Sequence, residues 1–119
     1  VEIVGDLCRA MRLTPDGSAR LMLAAGFVPD TGSTGALMDV LAERARQTAR
    51  WGVQELSWPE WMSILTEEVG EAAQAANAAH WQRSDLTQLR DELVQVAAVA
   101  VQIVEAIDGA AVQEEKVAA

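Results

Sequence analysis

Cysteine and histidine occur once each, at Cys8 and His80, which excludes an intrachain disulfide and leaves no zinc-ligand spacing. Tyrosine is absent and phenylalanine occurs once, so bulky aromatic packing rests on four tryptophans. Positive charge is scarce: the net charge is −9, which argues against a DNA or RNA surface and makes any polyphosphate ligand depend on a metal and a few local cations. No Gly-rich phosphate loop and no Ser/His/Asp or Cys/His arrangement is present. Asn77 stands three before His80, so the Glu-x-x-His of a di-iron bundle is absent too. No stretch of membrane-spanning length is free of charge, and residues 1–10 lack the basic start and apolar run of a secretory signal. The expected compartment is the cytoplasm, with no membrane partner.

What the chain does have is alanine and valine, within an apolar half of its 119 residues. Such a core needs closely packed helices and gains from a partner subunit. The fold class expected is all-α, an antiparallel helical bundle completed by dimerisation. Residues 1–35 read as a helical arm or extension: a short helix over 1–12, a turn at Thr14-Pro15-Asp16-Gly17, a second short helix from Ser18 to Ala25, then a loop. The core is expected over 36–110 and a frayed tail over 111–119. Within the core, Leu37, Val40, Leu41 and Ala45 mark one side of a first helix. Ser57-x-x-Glu60 with Pro59 marks the start of a second over 58–81. A third should be capped by Ser84 or Asp85 and stop near Gly109. Both its faces are apolar: Leu93, Ala97, Val101 and Val104 on one, Leu89, Val96, Val99 and Ile103 on the other. Such a helix suits burial from several directions.

The chemistry concentrates in 65–104. Glu67, Glu68 and Glu71 share one strip of the second helix. An acidic strip is either a solvated face or part of a site. Glu92 lies in line with Leu89, Val96, Val99 and Ile103, where a carboxylate is costly unless it snorkels out, hydrogen-bonds a neighbouring helix or meets a cation. Carboxylates from two helices make an oxygen-rich site for a hard divalent cation.

Glu68-x-x-Glu71 followed by Glu92-x-x-Gln95, in the wording EEVGE and DELVQVAAVA, resembles the ExxE…ExxD signature of the MazG-like, all-α nucleoside triphosphate pyrophosphohydrolases, over about 39–108. The resemblance implies a homodimer or dimer of dimers that binds Mg²⁺, or Mn²⁺, and hydrolyses a nucleoside triphosphate to monophosphate and pyrophosphate. It implies Glu68, Glu71 and Glu92 as metal ligands, with Glu67 as a further ligand or water-orienting base. Gln95 stands where the family usually has an acid. Its neutral amide oxygen either ligates the metal, holds a ligating water, or marks a lineage without activity.

The resemblance also implies a nucleotide-binding role for the segment before this helix. Arg50 offers bidentate donors to phosphate, and Trp51 and Trp81 offer flat faces to a base. Arg44 and Arg46 are further cations, and each arginine also fits a solvated surface. Asn77 suits either a base edge or a helix surface. Two functions follow: Mg²⁺-dependent pyrophosphohydrolysis, or a catalytically weak or inactive nucleotide- or metal-binding helical dimer with a regulatory or structural role.

Overall fold

A computed structural model describes residues 34–119, which form an all-α three-helix bundle: α1 spans Thr34–Trp51, α2 Trp58–Trp81 and α3 Thr87–Ala118. The elements expected before Ser33 lie outside the described residues. The chain divides into Val1–Leu37 and Met38–Ala119, and the second unit holds everything that follows.

Each helix end has a local cause. Ser57 N–H donates to Glu60 Oε2 at 2.8 Å and Glu60 N–H to Ser57 Oγ at 3.4 Å, the reciprocal capping box expected of this spacing. Accepting the backbone N–H of Ser57, and then its hydroxyl, holds the Glu60 carboxyl below its ordinary range. Gly52, at φ +65°, closes α1 in the left-handed conformation, its N–H donating to Thr48 O at 2.8 Å.

Two boundaries of α3 differ from expectation. The N-cap is Leu86, whose side chain has no acceptor; Asp85 Oδ1 instead accepts the Thr87 N–H at 2.9 Å from one residue earlier. At the other end the helix does not stop near Gly109 but runs through it to Ala118, so the expected tail over 111–119 is helical. Gly109 has no positive φ, and the alanines that follow are the best helix formers, so one glycine costing about 1 kcal/mol does not end the helix.

The close packing is between α2 and α3, which a five-residue connection folds into an antiparallel hairpin. Trp61, Ala72 and Ala75 of α2 and Ala98 and Val99 of α3 are its buried apolar residues. Alanine at these positions lets the two backbones approach, and Trp61 is the largest side chain among them. Of the two apolar faces of α3, the one with Leu89, Val96, Val99 and Ile103 turns inward. The other leaves Leu93 and Val104 more than half exposed within the single chain. By length and mean hydropathy α3 would span a bilayer, but it carries Glu92 into a carboxylate cluster and Glu105 into an ion pair with Arg44.

The first helix meets the hairpin through its side chains: Glu43, Gln47 and Trp51 line one recess with Trp61, Glu68 and Gln95. Long polar side chains pair across this seam. Arg44 Nε and Nη2 donate to Glu105 Oε2 at 3.1 and 2.7 Å, and Arg90 Nη2 donates to Asp39 Oδ2 at 2.6 Å. Of Leu37, Val40, Leu41 and Ala45 only Val40 is half-buried, whereas Glu43, Arg44 and Gln47 face inward.

Continuity of α3 through Gly109 is directly testable. A Cβ there would meet nothing within 4 Å, so Gly109→Ala is expected to stabilise the protein by about 1 kcal/mol, read as a rise of several degrees in a thermal melt. A lower Tm would mean that the helix terminates at Gly109.

Candidate metal centre

Three carboxylates converge where the hairpin faces α1. Glu68 and Glu71, one turn apart on α2, and Glu92 on α3 each place an oxygen so that all three lie within 4.8 Å of one another. The register of the hairpin explains the meeting. Trp61, Ile64 and Glu68 of α2 line one recess with Gln102, Val99 and Gln95 of α3, and one turn further along each helix Glu71 and Glu92 meet. Residues three and four apart on both helices share this edge.

Two oxygens of these carboxylates are anomalous. Glu68 Oε2 and Glu92 Oε2 are shielded from solvent and have no hydrogen-bond partner. A buried acceptor without a donor costs about 1–3 kcal/mol, and more when charged. Shielding raises the Glu68 pKa above its ordinary range, and repulsion from Glu71, Glu92, Glu67 and Glu43 adds to it. No cation enters that set. The donor set therefore fits a hard divalent cation: oxygen ligands only, drawn from two helices and no more than 4.8 Å from one another.

The remaining candidate residues separate by position. Glu67 is exposed, adjacent to the cluster but outside its three converging oxygens. Gln95 is half-buried and lines two recesses: one with Glu68 and Gln47, the other a groove of about 430 Å³ with Glu43, Arg46, Arg90 and Asp91. Trp51 lines the first of these, half exposed, with the Arg50 guanidinium 5.0 Å above its ring, an arrangement worth about 0.5–1 kcal/mol at an exposed site. Asn77 is exposed. Trp81 is 77% exposed and packs edge-on against His80 at 4.5 Å. Ten residues beyond Glu71, it sits about 15 Å further along α2, so the structure does not bring it to the carboxylates.

Arginine placement is as informative. Arg46 pairs with Glu43 at 2.7 Å, while Arg44 and Arg90 are held by Glu105 and Asp39. Three residues near the centre escape a reading of the sequence alone: Glu43, Gln47 and Arg90. The first two lie at i and i+4 with Trp51 at i+8, a stripe legible in the sequence but masked by the stronger apolar pattern of Leu37, Val40 and Leu41.

No protein-family model, no curated protein and no solved structure matches this chain.

The raised Glu68 pKa gives a signed expectation. A carboxyl that protonates more readily in the folded state favours folding below its ordinary range, and that contribution is lost as pH rises through the raised value. Glu68→Gln mimics the neutral form. In chelator-treated protein the variant is expected to melt above the parent by about one to a few degrees at pH 7, with the difference shrinking toward pH 4. A variant less stable than the parent at pH 7 would show that the Glu68 charge is already compensated.

Proposed function

We propose that this chain is a divalent-cation-binding helical module of the MazG-like kind, which takes up a nucleoside triphosphate through Mg²⁺, or Mn²⁺, held by Glu68, Glu71 and Glu92. The observation that supports this reading is the pair of shielded, partnerless oxygens of Glu68 and Glu92 at the meeting of three carboxylates. Gln95 stands beside them as a neutral oxygen donor. The arginines support the dependence on metal: Arg44, Arg46 and Arg90 are occupied by carboxylates, so a polyanion approaching this acidic face needs the cation first.

Hydrolysis to nucleoside monophosphate and pyrophosphate is the further step that the EEVGE and DELVQVAAVA resemblance supports. When bound, the cation supplies charge neutralisation at phosphate oxygens and acidifies a ligated water. The chain's own part is to hold three carboxylates in place and, at exposed Glu67, to orient water and accept its proton. A module that binds without turnover is the competing reading. It is favoured by the neutral Gln95 in an otherwise acidic set and by the absence of a free guanidinium among Arg44, Arg46 and Arg90. In either case we place a second copy of the chain over the exposed side of α3, where Leu93, Val101, Val104 and Ile107 form an uncovered apolar strip.

Thermal melts with Mg²⁺, paired with product analysis over a nucleoside triphosphate panel, separate these readings. Mg²⁺ at a hundred times its Kd is expected to add about 2.7 kcal/mol, and Glu92→Gln to abolish most of that gain. Equal release of monophosphate and pyrophosphate, lost in Glu68→Gln, supports hydrolysis. Stabilisation without product leaves the binding module, and no stabilisation by Mg²⁺ overturns both.

The assembly is checked by light scattering at low micromolar concentration. The expected mass is at least twice the 12.8 kDa of the chain. A monomer would remove the second copy.

A further inference from the structure

Beside the carboxylates, and sharing only Glu68 with them, lies a recess of about 160 Å³ between α1 and the hairpin, walled by Gln47, Trp51, Gln54, Trp61 and Gln95. Its lining is unlike the cluster's: glutamine amides and two indoles rather than a convergence of acids. Gln47 is 4% exposed, and its Oε1 has no hydrogen-bond partner. Gln102, the other buried glutamine, is different, because its Nε2 donates to Gln54 Oε1 at 3.3 Å. A leucine at position 47 would fill the same space without an unmet acceptor, so an orphaned amide oxygen at the inner face of α1 is a cost of about 1–3 kcal/mol in the free protein.

We infer that this recess seats a single-ring heterocycle presenting an N–H donor, and that Gln47 is the specificity-determining residue that accepts that donor. Volume sets the ring count: a cavity of about 150 Å³ is filled by one six-membered ring, so 160 Å³ suits a pyrimidine and is tight for the fused rings of a purine. The unmet atoms set the edge. Amide and indole N–H groups also line the recess, but its buried polar atoms without a partner, Gln47 Oε1 and Glu68 Oε2, are both acceptors, so an amino group is matched beside Gln47. Cytosine carries an exocyclic amine where uracil and thymine carry a carbonyl. The indoles of Trp51 and Trp61 offer flat apolar surface to any ring and discriminate little, which leaves selection to the hydrogen bond. A site built around a buried hydrogen bond discriminates strongly, because the wrong ligand leaves a buried group unpaired.

This inference rests on the proposed metal-bound triphosphate, whose base the recess would receive, and the test keeps the two apart. Mg²⁺ alone is titrated first into parent, Gln47→Leu and Gln47→Met, the last preserving side-chain length should leucine disturb folding; equal Mg²⁺ affinity shows that the cluster is intact in all three. The α,β-imido analogues of CTP, UTP and ATP are then titrated with Mg²⁺ present, and cytidine and uridine without it, by calorimetry and tryptophan fluorescence. The expected result is at least tenfold tighter binding of the cytosine analogue by the parent, with both variants lowering it to the uracil level and leaving the uracil analogue unchanged. Analogues that bind without base preference, or a preference that survives both variants, overturn the role of Gln47 while the metal-bound triphosphate stands. Cytidine preferred over uridine with no gain from Mg²⁺ and phosphates supports the recess and sinks the triphosphate reading. No binding of analogues or nucleosides overturns both.

Discussion

The repulsion among carboxylates that the hairpin forces together is the constraint around which the described structure is arranged. Ala72, Ala75 and Ala98 let α2 and α3 approach closely, and that approach brings Glu92 to Glu68 and Glu71 and shields one oxygen of Glu68 and one of Glu92 from water. Larger residues at the alanine positions would part the helices, relieving the repulsion and destroying the cluster together. A helix pair stabilised mainly by small side chains and one buried tryptophan has little surplus to spend on unpaired charge. Ligand binding and the stability of the hairpin are consequently coupled through the same three side chains.

The placement of α1 follows from the same arrangement. An acidic hairpin edge attracts a helix carrying arginines, and Arg44 meets Glu105 while Arg90 of the hairpin meets Asp39. The Asp39–Arg90 pair is exposed on both sides and contributes at most about 1 kcal/mol, whereas the Arg44 side chain is largely buried against the hairpin. Because the seam is made of long side chains, it leaves the glutamine-lined recess and the neighbouring groove between the helices instead of a closed apolar core. Both recesses meet at Gln95, the residue at which the acidic pattern departs from the family signature it resembles. A neutral amide there joins a charged centre to an uncharged recess without adding to the repulsion on Glu68.

Much of the local structure was legible in the sequence because its causes are local. The capping box at Ser57 and Glu60 and the spacing of Glu68 and Glu71 depend on residues within one turn of each other. The burden on Glu92 was legible too, since a carboxylate in an apolar stripe needs only helical periodicity to be noticed. One local signal misled: Gly109 looked like a stop, and the helix runs through it.

By itself, then, the sequence determined three helices, the acidic strip of α2 and the anomalous acid of α3, all consequences of a fixed 3.6-residue period. Only the tertiary structure decided that Glu92 reaches Glu68 and Glu71, that Arg44 and Arg90 are occupied by acids of another helix, and that Gln47 is buried with an unmet acceptor. These depend on the register between helices and on how α1 meets the hairpin. Those are set by the volumes of side chains from distant parts of the chain meeting across an interface, a quantity that no periodicity within one helix contains.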